Sequence, residues 1–313
     1  MRIHIDQLHV GAGSQIGPVT TFPVWTAESA LPSIQVPPLA PLTVAELDEP
    51  RIDALEVTVS GDQPVLLPEG TLLRGGMQSR VLTRDALLLP RQRGEVETTC
   101  IEAGRWGGEA EHSVAGRVPV RVISELRGVR RPAPAREDRH DRQSRVWQSI
   151  DRYQSHYGRR PTSSLIEVME DPDDGRPIRR RYRELHEALD RAGQRPLPGQ
   201  NGIMIGLAGQ PVMLEVFTSA DALAQVLPGM LRGLAMDAAM FADEPTPARR
   251  ARRFAERLMA TPLQARAQIP DGVIYAAAQG YLDVRALDAR LDGREGSAHI
   301  LAINSRHDLV LAA

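Results

Sequence analysis

Leu55-Glu-Val-Thr-Val59, followed at once by Ser60-Gly61-Asp62, is the stretch that decides the fold of the first half of the chain. Its apolar and polar residues alternate with period two, which is typical of a half-buried strand, and Ser-Gly-Asp has the composition of a turn. Similar short runs, separated by turn residues, follow at Val65–Leu67, Thr71–Leu73, Ser79–Thr83, Ala86–Leu89 and Val96–Glu102. Short strands at this spacing predict a sandwich, a barrel or a jelly-roll-like unit.

Outward from this unit the sequence divides into three parts, and the fold class that it predicts is α+β. A β-rich unit is expected over residues 1–125, an Arg-rich linker with central helices over 126–200, and a mixed part over 201–313 that packs with the first as one fold. The last part contains a predicted hairpin at Gly202–Phe217 and ends in predicted antiparallel strands at 273–277, 281–287, 298–303 and 309–311.

Several helices are predicted from capping residues and from apolar spacing. Thr43 and Glu46 have the spacing of a capping box, so a short helix is expected at Thr43–Leu47. Ser219 and Thr246 are expected to cap two later helices. One helical face is predicted from the spacing of Val146, Ile150, Tyr153 and Tyr157.

Arginines cluster in two places, and both patterns favour exposure to solvent. Seven arginines lie between residues 126 and 145 among three acids and two prolines, which is more typical of a solvated linker than of a polyanion site. Arg179-Arg180-Arg181 is expected on the solvent side of the helix that carries Tyr182.

Composition limits the classes of function. The chain has 313 residues, 42% hydrophobic and 25% charged, with a formal net charge of -2, so a general attraction to nucleic acid is not expected. All 38 cationic side chains are arginine, which excludes Schiff-base chemistry and a P-loop lysine. Cys100 is the only cysteine, so an intramolecular disulfide and a multi-cysteine zinc site are excluded. No signal-peptide pattern or membrane-spanning apolar stretch occurs, so a cytoplasmic location is expected.

The first candidate site follows the third predicted strand. Gly75-Gly76 permits positive φ or a close approach of the backbone to another group. Gln78 and Arg80 would project from one face of a strand, and an arginine fork beside an amide suits a phosphate or a carboxylate. The alternative is a β-bulge with a structural arginine salt bridge.

The second candidate site ends the last predicted strand of this unit. Period two places Cys100 and Glu102 on one face, so a thiol nucleophile beside a base is one interpretation and a small core side chain is the other. Glu102 and Arg105 are expected to form an ion pair that shapes a site. Trp106 would either stack on a base or fill the core.

Histidines and standard motifs give little further guidance. The eight histidines form no metal-binding motif, and His299 lies in a strand-like run where it is either a satisfied core residue or a general base. No Walker A, GxSxG or HExxH pattern is present. The residues therefore specify no metal and no cofactor.

Leu73-Arg-Gly-Gly-Met-Gln-Ser-Arg80 and Cys100-Ile-Glu-Ala-Gly-Arg-Trp106 together resemble the two signature stretches, GGxQxR and CxExGRW, of the ARG- and rhodanese-phosphatase-superfamily-associated protein domain. The hairpin at Gly202–Phe217 and His299 in the C-terminal strand are similar as well. The chain departs from the family pattern at Ser79, where asparagine is frequent, and at Ala103, where glutamine is common. The first departure argues against a ligand contact at position 79, and the second indicates that position 103 is not essential to the site.

The resemblance implies a context of NAD or ADP-ribose metabolism and leaves the reaction open. Under one hypothesis the protein binds or processes a phosphate-bearing nucleotide-like ligand: Arg80 and Arg105 clamp phosphate, Gln78 orients it, Trp106 stacks on adenine, and Glu102 orients or acts as a base. A second hypothesis is a non-catalytic scaffold that partners another enzyme. A third is a thiol enzyme that uses Cys100.

Overall fold

The computed structural model of the chain describes residues 5, 7–27, 29–129, 139–159, 163–170, 175–192 and 195–311. Its strands are β1 (Leu8–Val10), β2 (Ser14–Ile16), β3 (Val19–Thr26), β4 (Leu42–Ala45), β5 (Ala54–Val59), β6 (Val65–Leu67), β7 (Thr71–Gly75), β8 (Arg80–Leu82), β9 (Ala86–Leu88), β10 (Arg93–Cys100), β11 (Glu111–Arg117), β12 (Gly202–Leu207), β13 (Gln210–Phe217), β14 (Gln264–Ile269), β15 (Gly272–Gln279), β16 (Leu282–Leu291) and β17 (Arg294–Asn304). Its helices are α1 (Val120–Arg127), α2 (Arg139–Tyr157), α3 (Leu165–Glu170), α4 (Pro177–Arg191), α5 (Ala220–Ala238), α6 (Ala248–Ala260) and α7 (Asp308–Leu311). The predicted α+β class is confirmed.

Six antiparallel strands of the first half close into a barrel in the order β10-β5-β4-β11-β7-β8. Alternation along these strands brings Leu55, Val57, Leu73, Leu82 and Val96 together in one apolar cluster. β6 and β9 pair with each other as a separate two-stranded sheet. Of the architectures that the sequence allowed, the β-rich unit therefore adopts the barrel.

A nine-stranded sheet combines the beginning and the end of the chain. Its order is β1-β3-β12-β13-β17-β16-β15-β14, and β2 also pairs with β3. β3 pairs with β12 from Val24 opposite Gly202 to Val19 opposite Leu207. The division into residues 1–125, 126–200 and 201–313 stays a prediction, but this pairing joins its first and last parts into one sheet.

The helices pack against both β-systems. The predicted face of α2 is confirmed, since Val146, Ile150, Tyr153 and Tyr157 are all buried. α5 crosses β11 so closely that a Cβ on Gly229 would lie 2.9 Å from the Cα of Gly116, so a side chain there would have to displace backbone. Within the described ranges, no helix has both the length and the apolar character of a membrane span.

Two of the predicted elements are wrong. Thr43–Leu47 is not a helix: β4 pairs with β5 and β11, because closing the barrel outweighs a local capping box. Residues 309–311 form helix α7 rather than a strand, and its Leu309 N–H donates to Nδ1 of His307 (3.0 Å).

The two predicted helix caps have different outcomes. Ser219 caps α5 as predicted, since its Oγ accepts from Ala222 N (3.1 Å). Thr246 does not cap α6, because Pro247 occupies the N-cap position and the Thr246 hydroxyl donates to the Gln210 carbonyl (3.4 Å) instead.

The expectation of exposed arginines is also wrong at several positions. Of the predicted linker, residues 130–138 lie outside the described residues, but Arg127, Arg142 and Arg145 are buried. Arg179, expected to face solvent, is buried too and donates from Nε to the Tyr157 carbonyl (2.6 Å). A guanidinium has enough donors to be buried when carbonyls and carboxylates surround it, which composition alone does not reveal.

Buried charges join the barrel to the nine-stranded sheet. Arg127 donates from Nε and Nη2 to Glu69 Oε2 (2.9 and 2.7 Å) and from Nη1 to Asp283 Oδ1 (2.9 Å). Arg285 Nη1 donates to the other oxygen of Glu69 (2.8 Å). We call the whole set the bridging network: Glu69, Asp85, Arg117, Arg127, Glu215, Asp283, Arg285 and His299.

His299 occupies the centre of the bridging network. Its Nδ1 lies 2.8 Å from Asp85 Oδ2, and its Nε2 lies 2.8 Å from Glu215 Oε1, which also accepts from Arg117 (2.9 Å). Burial alone would lower the pKa of His299, but the two carboxylates raise it to about 9. His299 is therefore an imidazolium ion at neutral pH.

Candidate functional site

The two stretches that the sequence singles out meet at one end of the barrel. Arg80 in β8 lies opposite Cys100 in β10, and His112 in β11 lies opposite Gly75 in β7. Glu46 directly follows β4. Since cross-strand neighbours share a face of the sheet, their side chains converge where the strands end. We call four of these residues the mouth cluster: Glu46, Gln78, Arg80 and His112.

Arg80 is fully buried in the mouth cluster, yet only part of its guanidinium is used. Nη1 donates to the Gln78 carbonyl (3.0 Å) and to Gln78 Oε1 (3.1 Å). Nε and Nη2 have no hydrogen-bond partner among the described residues. The carboxylate oxygen Oε1 of Glu46 lies 3.8 Å from Nη2, which is too far for a hydrogen bond. Burial lowers the pKa of Arg80, which nevertheless remains charged. The guanidinium thus has unused hydrogen-bond donors that are buried from solvent.

Glu46 and His112 complete the mouth cluster. Glu46 Oε1 accepts from the Met77 N–H (2.8 Å) and lies 3.2 Å from His112 Nε2, while Oε2 has no partner among the residues that the structure describes. Burial lowers the pKa of His112, and the adjacent Glu46 offsets only part of this effect. His112 is therefore neutral at physiological pH. Beside the unused donors of Arg80, the cluster contains two further atoms without a partner among the described residues, Glu46 Oε2 and His112 Nδ1.

Gly76 makes room for this cluster, whereas Gly75 makes room for the backbone of β11, since a Cβ on Gly75 would lie 2.8 Å from the Glu111 carbonyl oxygen. Gly75 and Gly76 have φ of 108° and 57°, so the predicted positive φ is confirmed. A Cβ on Gly76 would collide with the imidazole of His112 and the carboxylate of Glu46. The group that the backbone approaches is therefore the protein's own mouth cluster.

Glu102 and Arg105 form the predicted ion pair. This pair links the loop after β10 to the end of β7 and the loop that follows it. Arg105 donates from Nε to Glu102 Oε1 (2.9 Å) and from Nη2 to Oε2 (2.6 Å). Its other bonds go to the carbonyls of Gly75 (3.2 Å), Gly76 (2.8 Å) and Gly107 (2.7 Å). Every N–H of Arg105 is thereby used, which leaves no donor to clamp a phosphate.

The carboxylate of Glu102 is equally occupied. Its Oε2 also accepts from the Ser79 N–H (2.9 Å). Burial would raise the pKa of Glu102, but the hydrogen bonds from Arg105 and Ser79 lower it overall. A carboxylate with a lowered pKa and both oxygens engaged is a weak general base, so its geometry fits the orienting role better.

Cys100 is buried between these groups. Its Sγ donates to the Glu102 carbonyl (3.1 Å), and burial raises the pKa of the thiol despite the nearby Arg80. The side-chain amide of Gln143 in α2 pairs with the Cys100 backbone, accepting from its N–H (2.9 Å) and donating to its carbonyl (2.8 Å). A buried thiol with a raised pKa is a poor nucleophile, so the structure favours the core interpretation.

Trp106 is the exposed member of the site. It is 54% exposed and therefore does not fill the core. The Arg80 guanidinium carbon lies 5.7 Å from its ring centroid, which is cation–π distance. The indole thus lies between the unused donors of Arg80 and the solvent.

His299 does not join this site. It lies in the bridging network, where both ring nitrogens face carboxylates, as expected of a satisfied core histidine. Within the described part of the chain, no group of three or more His, Cys, Asp or Glu could hold a metal ion.

Glu46 and His112 are the site residues that sequence reasoning missed. Interpreting Thr43–Leu47 as a helix hid the alternation that puts Val44 and Glu46 on one face of a strand. A similar alternation in β11 puts His112 beside Val114. The signal was period two, but both runs are too short and too far from the signature stretches to be linked to them.

Comparison with known proteins identifies the relatives of this chain. The model of the ARG and Rhodanese-Phosphatase-superfamily-associated Protein domain matches residues 7–300. The chain belongs to this family. The match confirms the resemblance and spans both the barrel and the nine-stranded sheet, so both are parts of the family's domain. No curated protein and no solved structure was found to match the chain.

Proposed function

We propose that the protein binds a phosphate-bearing nucleotide-like ligand, of the ADP-ribose or NAD type, at the barrel mouth, within NAD- or ADP-ribose-linked metabolism. The observation that carries this proposal is the buried Arg80, whose Nε and Nη2 have no hydrogen-bond partner among the described residues. A buried donor without a partner costs about 1–3 kcal/mol. A ligand oxygen bound there would remove that penalty.

Arg80 and Trp106 would each recognise a different part of the ligand. The guanidinium offers two adjacent N–H groups, the geometry that suits a phosphate or a carboxylate. Trp106 offers an exposed ring on which a nucleobase can stack. Because the indole lies over the guanidinium, the ligand would lie against both, with its charged group inward.

The remaining signature residues position these two. Gln78 holds Arg80 through its backbone and side-chain oxygens and donates from Nε2 to the Glu102 carbonyl (3.1 Å). The Glu102–Arg105 pair fixes the loop that carries Trp106. Glu46, whose Oε1 lies 3.8 Å from Arg80 Nη2, has a free Oε2 that is suited to an N–H or O–H of the ligand.

A scaffold that docks a partner enzyme is the second candidate, and one observation favours it. Trp106 and Trp147 are 54% and 41% exposed, and both lie at this end of the barrel, over Arg80 and beside Cys100 respectively. Exposed tryptophans are frequent anchors of protein interfaces.

Thermal unfolding with ADP-ribose, NAD and inorganic phosphate tests the proposal. A ligand at about 100 times its Kd stabilises by about 2.7 kcal/mol, which raises the Tm by a few degrees. The shift should disappear in Arg80→Met and shrink in Trp106→Ala. It should persist in Arg91→Gln, a control that removes the same charge from a side chain that is 77% exposed.

Two results would decide against nucleotide binding at the mouth. If no nucleotide changes the Tm of the wild-type protein, the scaffold becomes the better explanation. If a shift survives in Arg80→Met, the ligand binds elsewhere on the molecule.

A further inference from the structure

A second cleft, of about 480 Å³, lies on the outside of the barrel wall. β7 and β11 contribute one side of it, and residues of α3, α4 and α5 contribute the other. None of the residues of the mouth cluster lines it. Its volume lies within the range of about 300–1,000 Å³ that is usual for small-molecule sites.

Three arginines line this cleft, and two of them have unused donors. Arg117 is 4% exposed; Nη1 donates to Glu215 (2.9 Å), but Nε has no hydrogen-bond partner among the described residues. Nε of Arg232 has no partner in that part of the chain either. The third arginine, Arg74, is paired with Glu170.

Glu170 is the carboxylate that two of these arginines share. Arg232 Nη2 lies 3.7 Å from Glu170 Oε1, which is beyond hydrogen-bond distance. Because Glu170 is held by Arg74, Arg232 can turn to another anion without leaving that carboxylate unpaired. The charged end of the cleft therefore has more donors than its own carboxylates use.

The rest of the cleft would accept an apolar body. Rings of Pro37, Pro38, Pro68 and Pro228 line it. The side-chain oxygen of Gln225, without a partner among the described residues, is an acceptor for one N–H or O–H. Apolar walls with a few convergent polar groups are typical of a site for a small organic molecule.

We propose that this cleft is a second ligand site, which binds a small molecule that joins an oxyanion, carboxylate or phosphate, to a compact apolar ring. The oxyanion lies between Arg117 and Arg232, and the ring packs against the prolines. The site is separate from the barrel mouth and does not depend on nucleotide binding there.

Isothermal titration with phenyl phosphate and with benzoate tests the site, and inorganic phosphate shows whether the ring contributes. Either ring-bearing probe should bind the wild-type protein more tightly than inorganic phosphate does. Arg232→Gln should weaken that binding at least tenfold. Binding should be unchanged in Arg180→Gln, an exposed control on α4, and the part of the binding that Arg232→Gln removes should persist in Arg80→Met.

The proposal is overturned if neither ring-bearing probe binds at millimolar concentration, or if Arg232→Gln leaves the affinity unchanged. The same variants separate the two sites. A nucleotide-induced Tm shift that is lost in Arg232→Gln and kept in Arg80→Met would place the nucleotide in this cleft and refute binding at the mouth. The reverse result, a shift lost in Arg80→Met and kept in Arg232→Gln, supports two separate sites.

Discussion

The mouth cluster and the bridging network are both buried and charged, but they differ in how completely their atoms are paired. In the bridging network Arg127 reaches two carboxylates and both oxygens of Glu69 are used; of its eight residues only Arg117, at Nε, and Glu215, at Oε2, have a buried atom without a partner among the described residues. In the mouth cluster three of the four residues have such atoms: Nε and Nη2 of Arg80, Oε2 of Glu46 and Nδ1 of His112 have no partner among the described residues. Paired buried charges hold a fold together, whereas unpaired ones at a conformationally constrained site point to a ligand.

This comparison predicts unequal effects on stability. Removing a charge from the bridging network leaves other buried charges without partners. Removing Arg80 from the mouth cluster also removes the two unsatisfied donors, so part of the loss is recovered. The four predictions below test this difference in order of decreasing expected effect.

Arg127→Met should destabilise the protein by about 3–5 kcal/mol, because it leaves the buried Glu69 and the partly buried Asp283 with one fewer partner. Urea unfolding at pH 7 measures the free energy of unfolding. Arg91→Gln, which breaks an exposed pair with Asp62, should change that free energy by less than about 1 kcal/mol. An effect of Arg127→Met no larger than this control would mean that the network contributes little to stability.

Raising the pH should destabilise the protein through His299. Its pKa is raised to about 9 in the folded state and is about 6.5 when unfolded. The stabilisation is complete below pH 6.5 and is lost as the pH rises through 9, since only the folded state retains the proton in that interval. The loss is at most about 1.4 kcal/mol per pH unit. Urea unfolding between pH 6 and 9 should show this slope in the wild type, and His299→Gln should flatten it.

Arg80→Met should change the free energy of unfolding by no more than about 1 kcal/mol. It deletes two hydrogen bonds to Gln78, but it also removes a buried charge with unsatisfied donors, and Glu46 keeps its bonds to Met77 and His112. A loss as large as that of Arg127→Met would show that Arg80 is structural and would weaken the case for a ligand.

Trp106→Ala should have the smallest effect, within about 0.5 kcal/mol, because most of the indole is exposed. Urea unfolding checks the stability of this variant, and thermal unfolding with ADP-ribose or NAD, described above, checks its binding. Loss of both stability and binding would mean that the indole closes the barrel instead of meeting a ligand.

Much of the barrel could be predicted from the sequence, because strands such as Ala54–Val59 alternate clearly and end at turn residues. The barrel's remaining strands, β4 and β11, could not be predicted. β4 has the spacing of a capping box, and β11 has only two apolar residues other than glycine, Val114 and Ala115, which are adjacent and so show no apolar alternation. The Glu102–Arg105 pair was predictable because its members are three residues apart. The bonds by which Arg105 links two loops could not be predicted, since their acceptors are backbone carbonyls that only the fold brings near.

Long-range contacts explain the other misses. Arg80 meets Glu46 from 34 positions earlier in the chain and His112 from 32 positions later, distances over which periodicity carries no information. The bridging network spans a still larger separation, with Arg285 bound to Glu69. The prediction that Arg127 and Arg179 are exposed was wrong because the groups that surround them when buried are distant in sequence.

The pairing of β3 with β12 has a consequence for how the chain is made. Val24 cannot meet Gly202 until almost 180 further residues have been synthesised, which takes about 10–40 s at ordinary ribosomal rates. All six barrel strands are synthesised after β3 and before β12, so the barrel can close while one edge of β3 still has no partner strand. During this delay the edge of β3 that later pairs with β12 has no partner strand from its own chain.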